Sequence, residues 1–600
     1  MKRYNIYKKV LGLAVAALTF AACADTWEDH FDKKGEGMND ATLWQAITQK
    51  SNLSNFAKVI QGCGYDKALN SSQVFTVFAP TNDQFSAQEA DELIAGYNAE
   101  KGKVNEDDNT VIKEFIQNHI AMYNHSVSDL SNDSLVLMNG KKTTLTARLL
   151  GSNPILTANE HYKNGVLFTI QGKVQYFPSV FEYLKKDADL DSIANFFYNP
   201  RYFRREFMPE RSVAGGLENG RTVYLDSVFV QQDDLWDMLW AYTDHEDSTY
   251  WQVVPTNQEW KKLIEEYEPY FNYDNNVPFR DSMVYTLPRL AIVDGTTFSR
   301  TLNTDAHLTD SALSTSAAET YVEREYYWGN KSMHYYQFGG KSAVNTQKPF
   351  SPTGIFTGTE NVKCSNGQIM KSDDWKINKL NTFYQWLIIE AEEQSNYKVL
   401  TKVAKGSDSI TTVTPTVRRI MNDNRFYGKV WSDAFVEFRQ NTTTNQHRVQ
   451  FNIENVLSNI GYDIYLVTAP ALANDSNATG TDRLPTKLDC IIRYHNQQGE
   501  TESQTLKSKV TTNPDIVDYI LLAEDFKFPT ATFGLTETEP QVTLEVKTNV
   551  SSSEQSRKTF VRTMRIDCIM LVPHGTSNVD EERFEISPHG DGDTYQWRKE

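Results

Sequence analysis

The chain repeats one local pattern, in which an apolar strand ends at a proline and leads into a helical segment. The first copy runs from Phe75 to Asn82 and reads Phe-Thr-Val-Phe-Ala-Pro-Thr-Asn. The second runs from Tyr250 to Asn257 and reads Tyr-Trp-Gln-Val-Val-Pro-Thr-Asn. Threonine and asparagine are favoured helix N-caps, so we expect Thr81 or Asn82, and their second-copy partners, to cap the helices that follow. The repeat predicts two similar modules.

The similarity extends on both sides of this pattern. Upstream, Asn52–Ala57 corresponds to Asp189–Ala194, and each lies in an amphipathic helical segment. Downstream, Asn164-Gly165 and Asn366-Gly367 each form a tight turn before an apolar strand.

Together these motifs resemble the fasciclin domain, whose first box has a Thr-Val-Phe-Ala-Pro-Thr-Asn string and whose last element is an Asn-Gly turn before a strand. The family's second box contains a histidine. His119 occupies that place in the first copy, and residues 285–290 occupy it in the second. The resemblance implies two α+β modules, 41–177 and a divergent 178–394, of a family that adheres to partners and is not enzymatic. His119 is either a ligand or base, or a hydrogen-bonded core residue, the commoner role for a histidine in an apolar segment.

From about residue 395 the apolar residues alternate with polar ones, as in Val449, Phe451 and Ile453. Many short strands without helices between them predict an all-β sandwich of jelly-roll type over residues 395–575. Cys490 and Cys568 are expected on inward faces as buried thiols, with a cross-strand disulfide as the alternative. Residues 576–600 form a polar tail. The whole chain is therefore expected to be multidomain, with two fasciclin-like modules before the sandwich.

The N-terminus resembles the signal peptide and lipobox of a bacterial lipoprotein. A basic start and an apolar run from 10 to 22 precede Cys23, whose thiol would take the lipid. This run is shorter than the roughly 20 residues that span a bilayer. We expect a signal peptide at 1–22, a linker at 23–40 and an outer-membrane protein held by its lipid, with an ordinary secretory signal as the alternative. Asp25, Glu28 and Asp29 resemble the acidic export signal of Bacteroidetes surface lipoproteins, which would make the protein face the cell exterior.

Composition excludes several classes of partner. The chain has 78 acidic and 60 basic residues, a formal net charge of −18 at pH 7. This charge repels nucleic acid, so no nucleic-acid partner is expected. Five cysteines scattered over 600 residues are too few for a disulfide scaffold or a zinc site. We expect no metal and no cofactor.

No arrangement of residues in the sequence indicates catalysis. The densest acidic cluster with a histidine is Asp244–Asp247, and Asp591 with Asp593 forms a second cluster. Both are expected to be solvated loops. We therefore expect no enzyme, although the two acids of a glycoside hydrolase need not be adjacent in sequence.

Aromatic residues are the strongest candidates for a binding surface. Tyr326, Tyr327, Trp328, Tyr335 and Tyr336 lie in a glycine-containing segment that the first copy lacks. Aromatic rings supply contact area at low entropic cost, and neighbouring amides supply directional hydrogen bonds. We expect these five residues, in a loop, to bind a ligand or partner, with a place in the core of a large divergent domain as the alternative. Another aromatic run, 196–203, is more typical of a core.

Fasciclin lipoproteins of this type often accompany starch-utilisation-type import complexes, so the resemblance implies an accessory or adhesion subunit. The expected partners are the membrane, an outer-membrane transporter barrel with its lid lipoprotein, and a glycan or peptide ligand. The alternatives are a freestanding cell-surface adhesin, and a glycan-binding or glycan-cleaving protein that uses the sandwich.

We expect Cys23→Ala to release the protein from membranes or to leave an unprocessed precursor, because the thiol is the lipid acceptor. Cell fractionation and N-terminal sequencing measure this, and Cys63→Ala, which changes a different cysteine, should stay anchored. A mature N-terminus at any residue other than Cys23 would contradict the assignment.

Overall fold

The structure is a computed structural model, and it describes residues 40–104, 108–207, 209, 213–218, 221–226, 229–239, 241–299, 324–328, 331–335, 352, 354–384, 386–400, 402–405, 408–411, 413–440, 446–535, 540–575, 584–588 and 595–599. The chain divides into two compact units, Met1–Phe177 and Pro178–Glu600. Within the described residues, no helix combines the length and the apolar character that crossing a membrane requires.

The first unit contains four helices and one sheet in its described part. The α-helices are α1 (Leu43–Gln49), α2 (Ser54–Gly62), α3 (Asp66–Leu69) and α4 (Ala87–Glu100), and the shorter helical turns are Ser51–Leu53, Ile112–Ile116 and Gln117–His119. The strands are β1 (Phe75–Pro80), β2 (Ile120–Met122), β3 (Asn132–Val136), β4 (Lys142–Thr146), β5 (Leu149–Leu150), β6 (Asn153–Tyr162) and β7 (Gly165–Ile170). The strand order is β2-β1-β7-β6-β5-β4-β3.

The centre of this sheet is a parallel pair. Strand β1 runs beside β7, with Phe75 opposite Gly165 and Pro80 opposite Ile170. Every residue of both strands is buried, as expected for parallel strands covered on both faces. Val77 packs into the cluster built on the helices, whereas Phe78 packs into a second cluster on the other face.

The Asn164-Gly165 turn sets this pairing. The Asn164 side chain accepts a hydrogen bond from the Leu43 amide (2.8 Å) and donates to the carbonyl oxygens of Leu69 (2.9 Å) and Ser71 (2.8 Å). Gly165 has φ +151°, and a Cβ there would overlap the carbonyl oxygen of Phe75. Only glycine fits so close to the neighbouring strand.

The second unit begins with elements that include a second sheet. Its first α-helices are α5 (Val180–Tyr183), α6 (Asp191–Phe197), α7 (Asp234–Leu239), α8 (Asn257–Tyr267) and α9 (Arg280–Val293), with shorter turns at Ala188–Leu190, Glu268–Phe271 and Lys379–Asn381. The strands are β8 (Phe203–Phe207), β9 (Val213–Glu218), β10 (Arg221–Asp226), β11 (Phe229–Asp233), β12 (Tyr250–Pro255), β13 (Thr297–Ser299), β14 (Arg324–Trp328), β15 (Lys331–Tyr335), β16 (Glu360–Cys364) and β17 (Gly367–Ser372). One sheet has the order β13-β12-β17-β16, and β8 with β11, β9 with β10 and β14 with β15 form two-stranded pairs.

This sheet repeats the central pair of the first unit. Strand β12 runs parallel to β17, with Tyr250 opposite Gly367. The Asn366 side chain accepts from the Val180 amide (2.8 Å) and donates to the carbonyl oxygens of Thr243 (2.8 Å) and His245 (3.0 Å). The two copies of the sequence repeat therefore use the same hydrogen bonds.

The asparagine that follows each Pro-Thr pair caps a helix. That helix lies upstream in the sequence and is not the one that follows the asparagine. Asn82 accepts from the Asn55 amide (3.1 Å) at the start of α2, and Asn257 accepts from the Ser192 amide (2.8 Å) at the start of α6. Neither helix has a side-chain cap of its own at the N-cap position. These asparagines hold the end of the strand against a helix that is distant in sequence.

We predicted that Thr81 or Asn82, and their second-copy partners, cap the helix that follows them. This prediction is wrong for the first module and confirmed for the second. Helix α4 starts only at Ala87, where Ser86 and Glu89 form a capping box. In the second module Thr256 accepts from the Glu259 amide and caps α8 directly. The difference is local, because the first module inserts a turn between Pro80 and its helix.

The prediction that residues 285–290 take the place of His119 in the second copy is also wrong. Strand β2 pairs with β1 so that Ile120 lies opposite Val77, and β13 pairs with β12 so that Thr297 lies opposite Gln252. The residue before the strand is His119 in one copy and Thr296 in the other. Residues 285–290 instead lie inside α9, around Pro288.

The rest of the second unit is built mainly from strands. These are β18 (Leu387–Glu390), β19 (Tyr397–Val399), β20 (Lys402–Lys405), β21 (Asp408–Thr411), β22 (Val413–Arg419), β23 (Ala434–Gln440), β24 (Arg448–Asn452), β25 (Gly461–Thr468), β26 (Lys487–His495), β27 (Thr501–Thr511), β28 (Asp518–Lys527), β29 (Thr543–Thr548), β30 (Met564–Pro573), β31 (Phe584–Pro588) and β32 (Tyr595–Lys599). Short helical pieces are Gln394–Asn396, Trp431–Asp433, Ala471–Ala473, Gly480–Arg483 and α10 (Ser552–Ser556).

Two sheets face each other across one core. The six-stranded sheet has the order β22-β23-β30-β25-β28, with β18 also on β30, and the five-stranded sheet has the order β19-β24-β29-β26-β27. Val436 and Ile566 from the first share a buried cluster with Phe451 and Val546 from the second. Strand β18 lies within the range expected for the second module, yet it pairs in the sandwich.

The cysteines behave as small apolar residues. Cys63, Cys364, Cys490 and Cys568 are all free and buried, so no cross-strand disulfide forms among them. Cys490 lies in the core between the two sheets. The inward position expected for Cys568 is wrong, because it belongs to a separate cluster on the outer face of the six-stranded sheet.

The second module and the sandwich share their core. Tyr273 is fully buried, and its hydroxyl donates to the carbonyl oxygen of Phe533 (2.7 Å). Phe271 meets the Phe533 ring edge-on at 5.4 Å, and the amide of Asn272 donates to Ser458 (3.0 Å). The loop after α8 therefore joins the two parts into one unit.

We expect Asn82→Ala to lower the free energy of unfolding by about 1 to 3 kcal/mol, because α2 loses its cap. Urea denaturation of the full chain measures this effect. The neighbouring exposed residue provides the control, since Asp83→Ala should change stability by less than about 0.5 kcal/mol. Equal stability of Asn82→Ala and the parent would contradict the capping role.

Candidate functional site

The aromatic segment of the second module forms a hairpin and not the expected loop. Strands β14 and β15 pair with Tyr326 opposite Met333 and Trp328 opposite Lys331. Aromatic residues favour strands, and two residues suffice to connect a hairpin. Four of the five proposed anchors, Tyr326, Tyr327, Trp328 and Tyr335, lie on these strands. Their side chains, together with Tyr336 and Cys23, lie outside the described residues, so their binding roles stay predictions.

The other aromatic run is core. Phe196 and Phe197 are 1% and 2% exposed, and Tyr202 is 5% exposed. Phe196 contacts the Trp260 ring at 6.0 Å between centroids. This confirms the structural interpretation of residues 196–203.

The acidic cluster Asp244–Asp247 supports a turn. Ser179 donates to Asp244 (3.3 Å) and Ser365 donates to Glu246 (2.6 Å), which ties the start of α5 and the Asn-Gly turn to this segment. The cluster is therefore a structural element of the second module. The Asp591 and Asp593 pair lies outside the described residues.

His119 is a satisfied core residue. Its Nδ1 donates to the carbonyl oxygen of Phe115 (2.6 Å), and its Nε2 accepts from the Val174 amide (3.0 Å). The ring is fully buried, and burial lowers the pKa of His119 to about 4. The imidazole is neutral at pH 7, and both nitrogens are engaged.

A cavity at one end of the six-stranded sheet was not expected from the sequence. It measures about 550 Å³ and is lined by Glu390, Glu392, Glu393, Val417 and Arg419. We call it the carboxylate cavity. It opens between the end of β18 and the last residues of β22, so it combines acidic side chains with one arginine.

The turn at Trp431–Asp433 contacts Glu390, one of the residues that line this cavity. Ser432 donates its hydroxyl to Glu390 (2.8 Å), and the Trp431 amide donates to Asp567 (3.1 Å). Ser432 has φ +50° and Asp433 has φ +49°, a left-handed conformation that non-glycine residues rarely adopt. Strained backbone of this kind persists where the surroundings hold it, and is often found at functional sites.

The carboxyl groups of Glu392 and Asp567 have few hydrogen-bond partners. Both side-chain oxygens of Glu392 and one oxygen of Asp567 are buried without a hydrogen-bond partner. Burial, and then the charge of Glu390, raises the pKa of Glu392 to about 8. Burial raises the pKa of Asp567 well above its usual range. Glu392 is thus largely protonated at pH 7, which lowers the cost of burying its carboxyl group.

This combination suits a polar, uncharged ligand. The Arg419 guanidinium can donate to hydroxyl oxygens, whereas the carboxylates of Glu390 and Glu393 accept. Among the described residues, no group of three or more histidine, cysteine, aspartate and glutamate side chains is arranged to hold a metal ion. The signal in the sequence is the alternation of Ile389 and Ala391 with Glu390 and Glu392, which places these two acids on the same side of the chain.

Comparison with known protein families assigns one region of the chain to a family. The fasciclin domain family matches residues 51–172. No curated protein matches the chain. A fasciclin (FAS1) domain pair from the insect cell adhesion molecule Fasciclin I is 11% identical, and the match covers 55% of this chain and 98% of that one at a TM-score of 0.17.

Two carbohydrate-binding modules are also similar to part of the chain. A xylan-binding domain of family 22 is 13% identical, covering 33% of this chain and 97% of that one at a TM-score of 0.20. The C-terminal family 22 module of Clostridium thermocellum Xyn10B is 12% identical, covering 33% and 96% at a TM-score of 0.20. TM-scores this low carry no argument about this chain.

The family match covers the strand, the Pro-Thr-Asn turn, the buried histidine and the Asn-Gly turn, which the structure joins around one parallel strand pair. Residues 51–172 of this chain are a fasciclin domain.

Proposed function

We propose that the chain is a non-enzymatic binding protein on the outer surface of a bacterial outer membrane, anchored through a lipid on Cys23. The observation that carries this proposal is the fasciclin domain at residues 51–172, since fasciclin domains are adhesion domains. The lipobox sequence before Cys23 supports the anchor. Asp25, Glu28 and Asp29 support export to the cell exterior.

The geometry of the first module supports a binding role without catalysis. His119, the motif residue best suited to proton transfer, is fully buried and has both ring nitrogens in hydrogen bonds. A general base must reach the proton it removes. The Asn82 and Asn164 side chains are likewise engaged with backbone groups.

The binding surface of the second module is proposed at the aromatic hairpin of β14 and β15, with Tyr327, Trp328 and Tyr336 as anchors. Its partner is the barrel and lid lipoprotein of a starch-utilisation-type importer. A freestanding adhesin that uses the same surface is the alternative. The hairpin is an insertion relative to the first module, so it is available for binding without disturbing the module core.

We expect Trp328→Ala to weaken binding to the transporter pair by about thirtyfold or more, because truncating an aromatic anchor commonly costs about 2 to 4 kcal/mol. Co-purification from membranes, followed by titration with the purified pair, measures this. Lys331→Ala, opposite Trp328 in the hairpin, is the matched control and should bind nearly as the parent does.

The outcomes separate the hypotheses. Unfolding of Trp328→Ala would place the ring in the core and contradict the surface. If the parent binds intact neighbouring or host cells but not the transporter pair, the adhesin alternative replaces the accessory subunit. Normal binding by a folded Trp328→Ala would exclude the hairpin as the docking surface.

A second function is favoured by the carboxylate cavity, namely glycan binding by the sandwich. Its glutamates and Arg419 offer both donors and acceptors, the combination that sugar hydroxyl groups require. The cavity volume of about 550 Å³ falls in the range of small-ligand sites. This site would act independently of the aromatic hairpin.

We expect Arg419→Gln to lower glycan affinity by about tenfold or more, because a charged hydrogen-bond donor is lost from a partly buried site. A glycan array followed by calorimetry on the best hit measures this. Glu524→Gln, an exposed position on β28 of the same sheet, is the matched control and should bind as the parent does. Binding that is equal in both variants, or absent from the parent, would reject this second function.

A further inference from the structure

A β-bulge places a buried carboxyl group against the turn at Trp431–Asp433. Consecutive residues of β25 lie opposite Ile566 and Cys568 of β30, so Asp567 is the extra residue of the bulge. Bulges re-aim side chains and are common beside functional sites. Asp567 is 1% exposed. One of its carboxyl oxygens accepts from the Trp431 amide (3.1 Å), and the other is buried without a hydrogen-bond partner.

Three further carboxyl groups lie near Asp567. Glu390 on β18 lies opposite Cys568, Glu392 is two residues further along the chain, and Asp433 belongs to the turn. Both side-chain oxygens of Glu392 are buried without a hydrogen-bond partner. Burial, and then the charges of these three groups, raise the pKa of Asp567 well above its usual range. We call Glu390, Glu392, Asp433 and Asp567 the acidic cluster.

The groups that face the acidic cluster from other parts of the chain offset little of its charge. Arg419, at the end of β22, acts on Glu392 but is exposed to solvent. Glu393 is acidic and exposed. Tyr519 on β28 and Cys568 are neutral at pH 7, because burial raises the pKa of each. A buried carboxylate here would therefore be balanced mainly by an arginine whose charge water screens.

The turn at Trp431–Asp433 is held to the acidic cluster by two hydrogen bonds. One joins the Ser432 hydroxyl to Glu390 (2.8 Å), and the other is the bond from the Trp431 amide to the bulge. The two left-handed residues of this turn cost free energy, and such a conformation persists only where its surroundings hold it. Trp431 packs in the same apolar cluster as Cys568, which is 1% exposed. Detaching the turn therefore uncovers the Cys568 thiol.

We propose that the acidic cluster is a proton-operated latch on the turn at Trp431–Asp433. With protons on Glu392 and Asp567, the buried groups are neutral and the turn is closed. Loss of these protons places like charges together in a buried site, and the turn detaches from β30 so that water reaches them. The latch is a property of the sandwich and does not depend on whether the carboxylate cavity binds a glycan.

The latch opens as the pH rises. In the closed form, burial and then the charge of Glu390 raise the pKa of Glu392 from its ordinary value of 4.5 to about 8. Between these two values the closed form binds more protons than the open form. The closed form is therefore most stable below pH 4.5. Above that pH the opening equilibrium constant increases by up to about tenfold per pH unit, until the pH reaches the raised pKa of Glu392.

Labelling of the buried cysteines with N-ethylmaleimide, from about pH 6 to about pH 8, tests the latch. Peptide mass spectrometry of the full chain gives the rate for each thiol. Thiol reactivity itself depends on pH, so the parent is compared at each pH with Glu392→Gln, which is neutral throughout. We expect the parent-to-variant ratio of rates at Cys568 to rise about tenfold or more over this range, because only the parent loses the proton.

The chain offers two matched controls. Glu393→Gln changes the exposed neighbour of Glu392 and should label as the parent does at every pH. Cys490 lies between the two sheets and is 0% exposed, so its labelling reports opening of the whole sandwich. The ratio at Cys490 should not change with pH, because the turn moves while the sheets stay packed.

Three results would overturn the proposal. A parent-to-variant ratio at Cys568 that stays flat with pH would show that Glu392 does not control the turn. Labelling of Glu393→Gln that matches Glu392→Gln would assign the effect to surface charge in general. A pH-dependent ratio of the same size at Cys490 would mean that the protons stabilise the whole sandwich and operate no local latch.

Discussion

The close parallel pairing of two buried strands is the constraint on which both modules depend. It requires a glycine where the strands approach, since a Cβ at Gly165 or Gly367 would overlap a carbonyl oxygen of the neighbouring strand. It also requires the preceding asparagine, whose amide group satisfies three backbone groups in each copy. Buried backbone groups without partners are costly, so these side chains stabilise the turn that starts the strand.

This constraint explains why the motif residues of the first module are not free to contact a ligand. The motif residues of the first module are occupied by the fold, because Asn82 caps α2 and His119 bridges two backbone groups inside the core. The surfaces proposed above for binding therefore lie in parts of the chain that the repeat does not need. In the second unit these are the aromatic hairpin and the sandwich.

The sandwich contains buried carboxyl groups of two kinds, those paired with arginines and those without such partners. On the outer side of the six-stranded sheet, Glu437 lies among Arg418, Arg439 and Arg565, which hold the pKa of its carboxyl group below its ordinary value despite burial. Glu392 and Asp567 lack such partners, and burial raises the pKa of both. The paired charge of Glu437 can therefore stay ionised, whereas burial favours the neutral forms of Glu392 and Asp567.

The sequence alone determined the repeat, the fasciclin domain and the buried state of Cys490, Cys568 and the Phe196 run, because these follow from short-range patterns of apolar, glycine and asparagine residues. Only the tertiary structure decided which helix Asn82 caps, that Thr296 takes the place of the histidine in the second copy, and that Cys568 lies on the outer face. It also brought Glu392 near Asp567, which is distant in sequence. Strand register and long-range packing set such contacts, and no local pattern encodes them.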